Sequence, residues 1–225
     1  MHTSCLGVCG YIMGSVLQEL ILFNGSNTPK ENLKDFWGLL ATKYSDDGVT
    51  NRLTSLTLPM LGALNKPCLH AKAAETQALL GPVSSICRDT HDGSDHDSHR
   101  LLVLESLHDL YRLLKAAPMF LDEEQWVRAL ALVDTVLLHN NALLHSSIQD
   151  GYILYPVHFK HHLLWHIVYS ARWLNPTACW CYQWEDFMGK LVLSAKNCVA
   201  GTPMTMVASK VLENFLLALN LELCK

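Results

Sequence analysis

Between Ser98 and Ala117, apolar side chains fall at Leu101, Leu104, Leu107, Tyr111 and Leu114, the spacing of a helix that buries one face. That period recurs along most of the chain, and it constrains the fold more than any other feature. From Tyr11 to Phe23 the stripes are Ile12–Val16–Leu20 and Met13–Leu17–Ile21. Thr28, Pro29 and Glu31 supply an N-cap, a first-turn proline and a capping-box glutamate for a helix to about Tyr44. A further helix is expected from about Pro67 to Ile86. Asp122 with Gln125 caps a long helix to about Ser147, and Pro156 opens a histidine-rich helix that ends before Asn175. Glu185 to Val199, closed by Gly201, and Thr202 to about Leu223 complete the helices. Arg52–Leu58 is open between strand and turn, and Cys179–Trp184 reads as a short aromatic strand. The expectation is a mainly α, bundle-like fold with at most one or two short strands.

Charge and composition narrow the function classes. Half of the 225 residues are hydrophobic and 17% are charged, so the chain has the material for a core. A net charge of −4 gives no global basic field, and any nucleic-acid contact has to be local. No uninterrupted apolar run reaches the length of a bilayer span, and Met1–Gly14 lacks the basic start of a signal peptide. The expectation is an intracellular protein with no membrane partner, whose eight cysteines are reduced thiols.

Two constellations carry metal-binding residue types. "HFKHHLLWHIV" places His158, His162 and His166 four residues apart, stacked about 6 Å from one another if helical. "RDTHDGSDHDSHR", residues 88–100, mixes histidine with aspartate and reads either as a solvated linker or as a ligand set for a transition metal. Combining the His-rich helix with Asp92, Asp95 or Asp97 would make a metal-dependent hydrolase. The usual phosphate loops, HExxH and GxSxG are absent from the sequence. Within "WEDFMGKLVLSAKN", Glu185 and Asp186 stand at a helix start, where the dipole favours carboxylates, with Lys190 and Lys196 further along.

Read together, three blocks resemble the C-terminal part of DDE transposases of the CACTA (En/Spm-like) group. "MHTSCLGVCGYIMGSVL" is similar to that family's "MH.EKNVCDNIIGTLL". "KPCLHAKAAETQALLGPV" is similar to "KSHDYHVLLQQLLPV", with Cys68-Leu69-His70 at the D-x-H position. "HHLLWH" matches the HLLxH pattern through His162 and His166, and "WEDFMGKL" matches "FERFMGTL". The resemblance implies an RNase H-like core interrupted by a helical insertion. It makes Glu185 the third metal-holding acid, sets Lys190 and Lys196 against the DNA backbone, and leaves Cys68, His70, His162 and His166 beside the active site. Magnesium or manganese is implied for an intact family member, bound by three acids that activate water or a 3′-hydroxyl.

Cys68 departs from the family's aspartate, and the family's first two acids lie upstream of the "MH" block. The chain is therefore expected to be a transposon-derived segment, without a metal cofactor or catalysis of its own. Its partners would be DNA or a second copy through exposed apolar faces, and a nuclear location is implied only by the resemblance. The corresponding organisation is 1–60 as a remnant of core helices, 61–90 leading into the loop at 88–100, 98–175 as the insertion, and 176–225 as the terminal core segment. An intracellular helical interaction module, unrelated to transposition, is the rival reading.

Overall fold

The fold is that of a computed structural model describing residues 3–23, 27–179, 192, 195–199 and 201–223. Two compact units divide at Trp180/Cys181 and are described separately. The architecture is mainly α, with two very short antiparallel strands.

The first unit is organised around its N-terminal helix α1, Ser4–Phe23, an α-helical centre (Cys9–Gln18) between wider π turns at both ends. Cys5, Val8, Cys9, Ile12, Met13, Val16, Leu17 and Ile21 are fully buried, so the helix is enclosed on all sides rather than on one stripe. α1 and a later helix, Glu123–Gln149, are long and apolar enough by length and composition to cross a membrane. This corrects the run-length expectation. Polar residues such as Gln18 interrupt each apolar run without lowering its mean hydropathy below a span's. Two thirds of the α1 window (67%) is buried inside the protein, the pattern of a core helix.

α2, Pro29–Asp46, begins as the capping signal requires, with the Thr28 side chain accepting the Glu31 N–H and Glu31 reaching back to the Thr28 N–H. Residues 47–57 are irregular, with Leu53 and Leu56 buried, and lead to a 3₁₀ turn, Leu58–Leu61. β1 (Gly62–Ala63) then pairs with β2 (Lys66–Pro67). The single helix expected over Pro67–Ile86 is instead β2, then α3 (Ala73–Ala78) and α4 (Leu80–Asp89). Pro82 explains the break, because it has no N–H to return to Ala78 and is tolerated only in the first turn of a new helix.

The loop expected over 88–100 shrinks to five residues. α5 spans Asp95–Ala116, and Ser94 caps it by accepting the Asp97 N–H. The polar residues that suggested a linker are helix-starting carboxylates and inward-facing partners. α6, Glu123–Gln149, carries the Asp122/Gln125 capping box and packs along α5. α7, Phe159–Ser170, starts three residues after Pro156, with His158 as its N-cap, and packs on α6. In the second unit, residues 195–199 are helical, Gly201 has φ +70°, and α8 spans Met204–Leu223. Cys179, the first residue of the expected aromatic strand, ends a 3₁₀ turn, Pro176–Cys179; the rest of that strand and most of the Glu185–Val199 helix lie outside the described residues.

Candidate functional site

A buried charged cluster forms where α1, α5, α6 and the segment before α7 meet. Glu19 of α1 sits at its centre. His96 Nε2–H donates to Glu19 Oε1 at 2.9 Å, Arg100 donates to Oε2 at 3.2 Å, and the Tyr155 hydroxyl donates to the same oxygen. Arg100 also pairs with Asp97. Asp97 in turn accepts the Asp92 N–H. Arg100 and Asp97 are each only 8% exposed, and Tyr155 is fully buried. An adjoining cavity of about 390 Å³ is lined by Glu19, Asp97 and Arg100 together with Phe23, Asp150 and Tyr152.

The electrostatics follow from burial and pairing. The hydrogen bond to Glu19 raises the pKa of His96 against the opposing effect of burial. Burial pushes Tyr155 well up, and the Glu19 charge adds to this. Burial would lower Arg100, but neighbouring Cys87, Tyr155, Glu19 and Asp97 hold it above its usual range. Burial takes the Cys87 thiol up to about 11, so it is a packed thiol rather than a nucleophile.

Tyr155 adopts φ +54°, a left-handed conformation that costs a non-glycine residue. Polar side chains on two helices hold it there. Its N–H donates to Ser15 Oγ at 2.8 Å, Asn140 donates to its carbonyl at 3.2 Å, and Ser147 Oγ both donates to and accepts from Leu154. Sequence reasoning missed this cluster. Its signals were polar residues at core positions: Glu19 at the end of an apolar stripe, and Asn140 and Ser147 on the face of α6 that carries Val133, Val136 and Leu143.

The residues singled out from the sequence lie elsewhere. Glu185 and Lys190 are outside the described residues, and Lys196 is exposed on the helical turn 195–199. Cys68 is half-buried against α1, and His70 is exposed. The three-histidine ladder does not form. His158 is the N-cap and lies over the Tyr11 ring, centroids 4.2 Å apart, while His162 and His166 meet alone on the exposed face, Nε2 to Nε2 at 3.0 Å.

The buried imidazole is His161, 2% exposed. Its Nδ1 lies 3.0 Å from the His158 nitrogen and 3.2 Å from the His158 carbonyl oxygen, and its buried Nε2 has no hydrogen-bond partner among the described residues. Asp92 and Asp97 are engaged in capping and in the Arg100 pair, and the α7 histidines do not join them. Among the described residues no group of three or more His, Cys, Asp or Glu is arranged to hold a metal ion.

His161 and His96 predict opposite pH effects. Burial lowers His161 from 6.5 to about 4, opposed by the His158 backbone bond. Its contribution is therefore complete above the unfolded value and is lost as pH falls from about 6.5 towards 4. The loss is on the order of 3 kcal/mol at the acid end. His96 is raised, so its contribution is complete below about 6.5 and fades as pH rises through its folded value. Urea midpoints measured across pH should fall on both sides of neutral. His161→Gln flattens most of the acid arm, and His96→Gln the alkaline one.

Fold and site together define a mainly α-helical protein whose internal ion-pair cluster pins one end of its central helix. No family model, curated protein or solved structure matches the chain.

Proposed function

We propose that the chain is a transposon-derived segment resembling the C-terminal region of a DDE transposase, and that it does not cut DNA on its own. The observation that best supports this reading is the contact between two of the three resembling blocks. Leu69 N–H donates to Gly10 O at 2.8 Å, and a Cβ on Gly14 would lie 2.5 Å from the Cys68 nitrogen. The glycine of the first block and the Cys68-Leu69-His70 stretch of the second are thus the two sides of one backbone contact. On this reading Glu185 is a vestigial third acid, Lys190 and Lys196 touch the DNA backbone, and the protein acts in the nucleus.

Purified chain incubated with duplex DNA and magnesium or manganese should produce no nicks. It should bind that duplex at low salt, and Lys190→Glu with Lys196→Glu should weaken binding and flatten its salt dependence. Metal-dependent nicking abolished by His162→Ala would support the hydrolase reading instead. The interaction-module reading is favoured by one observation, the exposed apolar residues Met119, Phe120, Val127 and Leu138. It predicts a monodisperse monomer without DNA affinity.

A further inference from the structure

The outer face of α7 carries a continuous file of rings. Phe159 meets His162 (centroids 5.8 Å apart), and His162 meets His166 (4.4 Å). His166 then meets Trp165 (5.4 Å), which stacks on Tyr169 (5.2 Å, 12° between planes), and Tyr169 meets Trp173 (5.9 Å). At the far end the Arg172 guanidinium lies between two indoles, 5.2 Å from Trp126 and 5.9 Å from Trp173. Phe159 is 72% exposed and Trp173 59%, with His162, His166, Tyr169 and Arg172 also exposed.

Two indole edges are tied down: Trp126 Nε1–H donates to Tyr169 O and Trp165 Nε1–H to Asp134 Oδ1, both at 3.0 Å. These bonds fix the rings' orientation without engaging their faces. A ring file this exposed is costly unless something covers it.

Charge indicates what covers it. The protein as a whole is acidic, yet between Asp150 and Glu185 the sequence contains no carboxylate, while Lys160 and Arg172 supply fixed positive charge. The acid that touches the file, Asp134, is engaged by Trp165 Nε1–H. Aromatic faces interleaved with cations are the chemistry that holds unpaired bases along a polyanionic backbone. A proline-rich peptide would use the rings but has no need of Lys160 and Arg172.

We propose that this ridge is a stacking surface for single-stranded nucleic acid. Its helical part, Phe159 to Tyr169, runs about 15 Å along the axis, with Trp173 in the turn beyond, room for a few nucleotides. The site is independent of Glu185, Lys190 and Lys196, so it stands or falls separately from the transposase reading.

The test uses the full chain with labelled oligothymidylate and oligouridylate, each about 15 nucleotides long, and a duplex of matching length. Anisotropy at low salt gives affinity, and quenching of tryptophan fluorescence reports stacking. Saturable single-strand binding with quenching is expected, weaker binding of the duplex, and a loss of about tenfold for each of Phe159→Ala and Trp173→Ala. Arg172→Ala should reduce the salt slope. All three side chains are exposed, so unchanged thermal melting should accompany the losses. Preference for DNA or for RNA identifies the natural strand, and either supports the proposal. Absence of saturable single-strand binding overturns it. So does binding that is equal for the duplex and unmoved by Phe159→Ala and Trp173→Ala.

Discussion

Replacing Arg100 with leucine should destabilise the protein by about 3–5 kcal/mol, the range for removing one partner of a buried ion pair. The guanidinium is shared between Glu19 and Asp97, whose side chains are 12% and 11% exposed. Without it, two mostly buried carboxylates lose the cation they share. Glu19 keeps His96 and Tyr155, while the Asp97 carboxylate keeps the Asp92 N–H, so part of the loss is recovered locally. Chemical denaturation of the variant measures the deficit, and two controls assign its cause. The deficit should shrink at low pH, where protonation removes the stranded charge. Combining Arg100→Leu with Glu19→Gln and Asp97→Asn should restore much of the stability, because a neutral cluster of similar volume does not carry the desolvation cost. An equal loss in the triple variant would mean that Arg100 acts through packing alone.

Gly14→Val should be at least as damaging, with a loss above about 3 kcal/mol or no folded protein. A Cβ at this position would meet the Cys68 nitrogen, Cα and carbonyl carbon at 2.5, 2.7 and 2.8 Å. All three are backbone atoms, so no side-chain rotation relieves the overlap. Nor can the Cys68 backbone retreat. On its other side Gly62, at φ +79°, would set a Cβ 2.7 Å from the same nitrogen, and Cys68 N–H is bonded to Leu61 O. In a free helix, replacing glycine would be favourable because glycine is the poorer helix former. The sign of the effect therefore separates tertiary contact from intrinsic propensity. Circular dichroism and a urea titration of Gly14→Ala beside Gly14→Val measure it, and a stabilised Gly14→Ala would show that the close approach relaxes.

The Gly14–Cys68 contact was half legible in advance. Both residues stood out within resembling blocks, but nothing in one-dimensional spacing says that two blocks about fifty residues apart touch. The Glu19 cluster was less legible still. Asp97 drew notice as a metal-ligand candidate in a polar loop, and its partner is an arginine three residues on. Polarity was read as solvation, whereas the helix period starting at Ser94 turns Asp97 and Arg100 inward. The α7 histidines fail as a ladder for a related reason. A four-residue spacing aligns side chains only inside a helix, and His158 stands one residue before it.

What the sequence determined by itself is local: helices bounded by Thr28/Glu31 and Asp122/Gln125, the stripe on α5, and a mainly α class. These follow from interactions within four residues of one another, where sequence separation and spatial separation coincide. Tertiary structure alone decided that α1 is enclosed on all sides. It also decided that Tyr155 is held in a left-handed conformation by Ser15 and Asn140, and that buried charge gathers at Glu19. Each of these depends on groups distant along the chain sharing a desolvated space, where a charge or a strained residue persists only because several partners hold it at once.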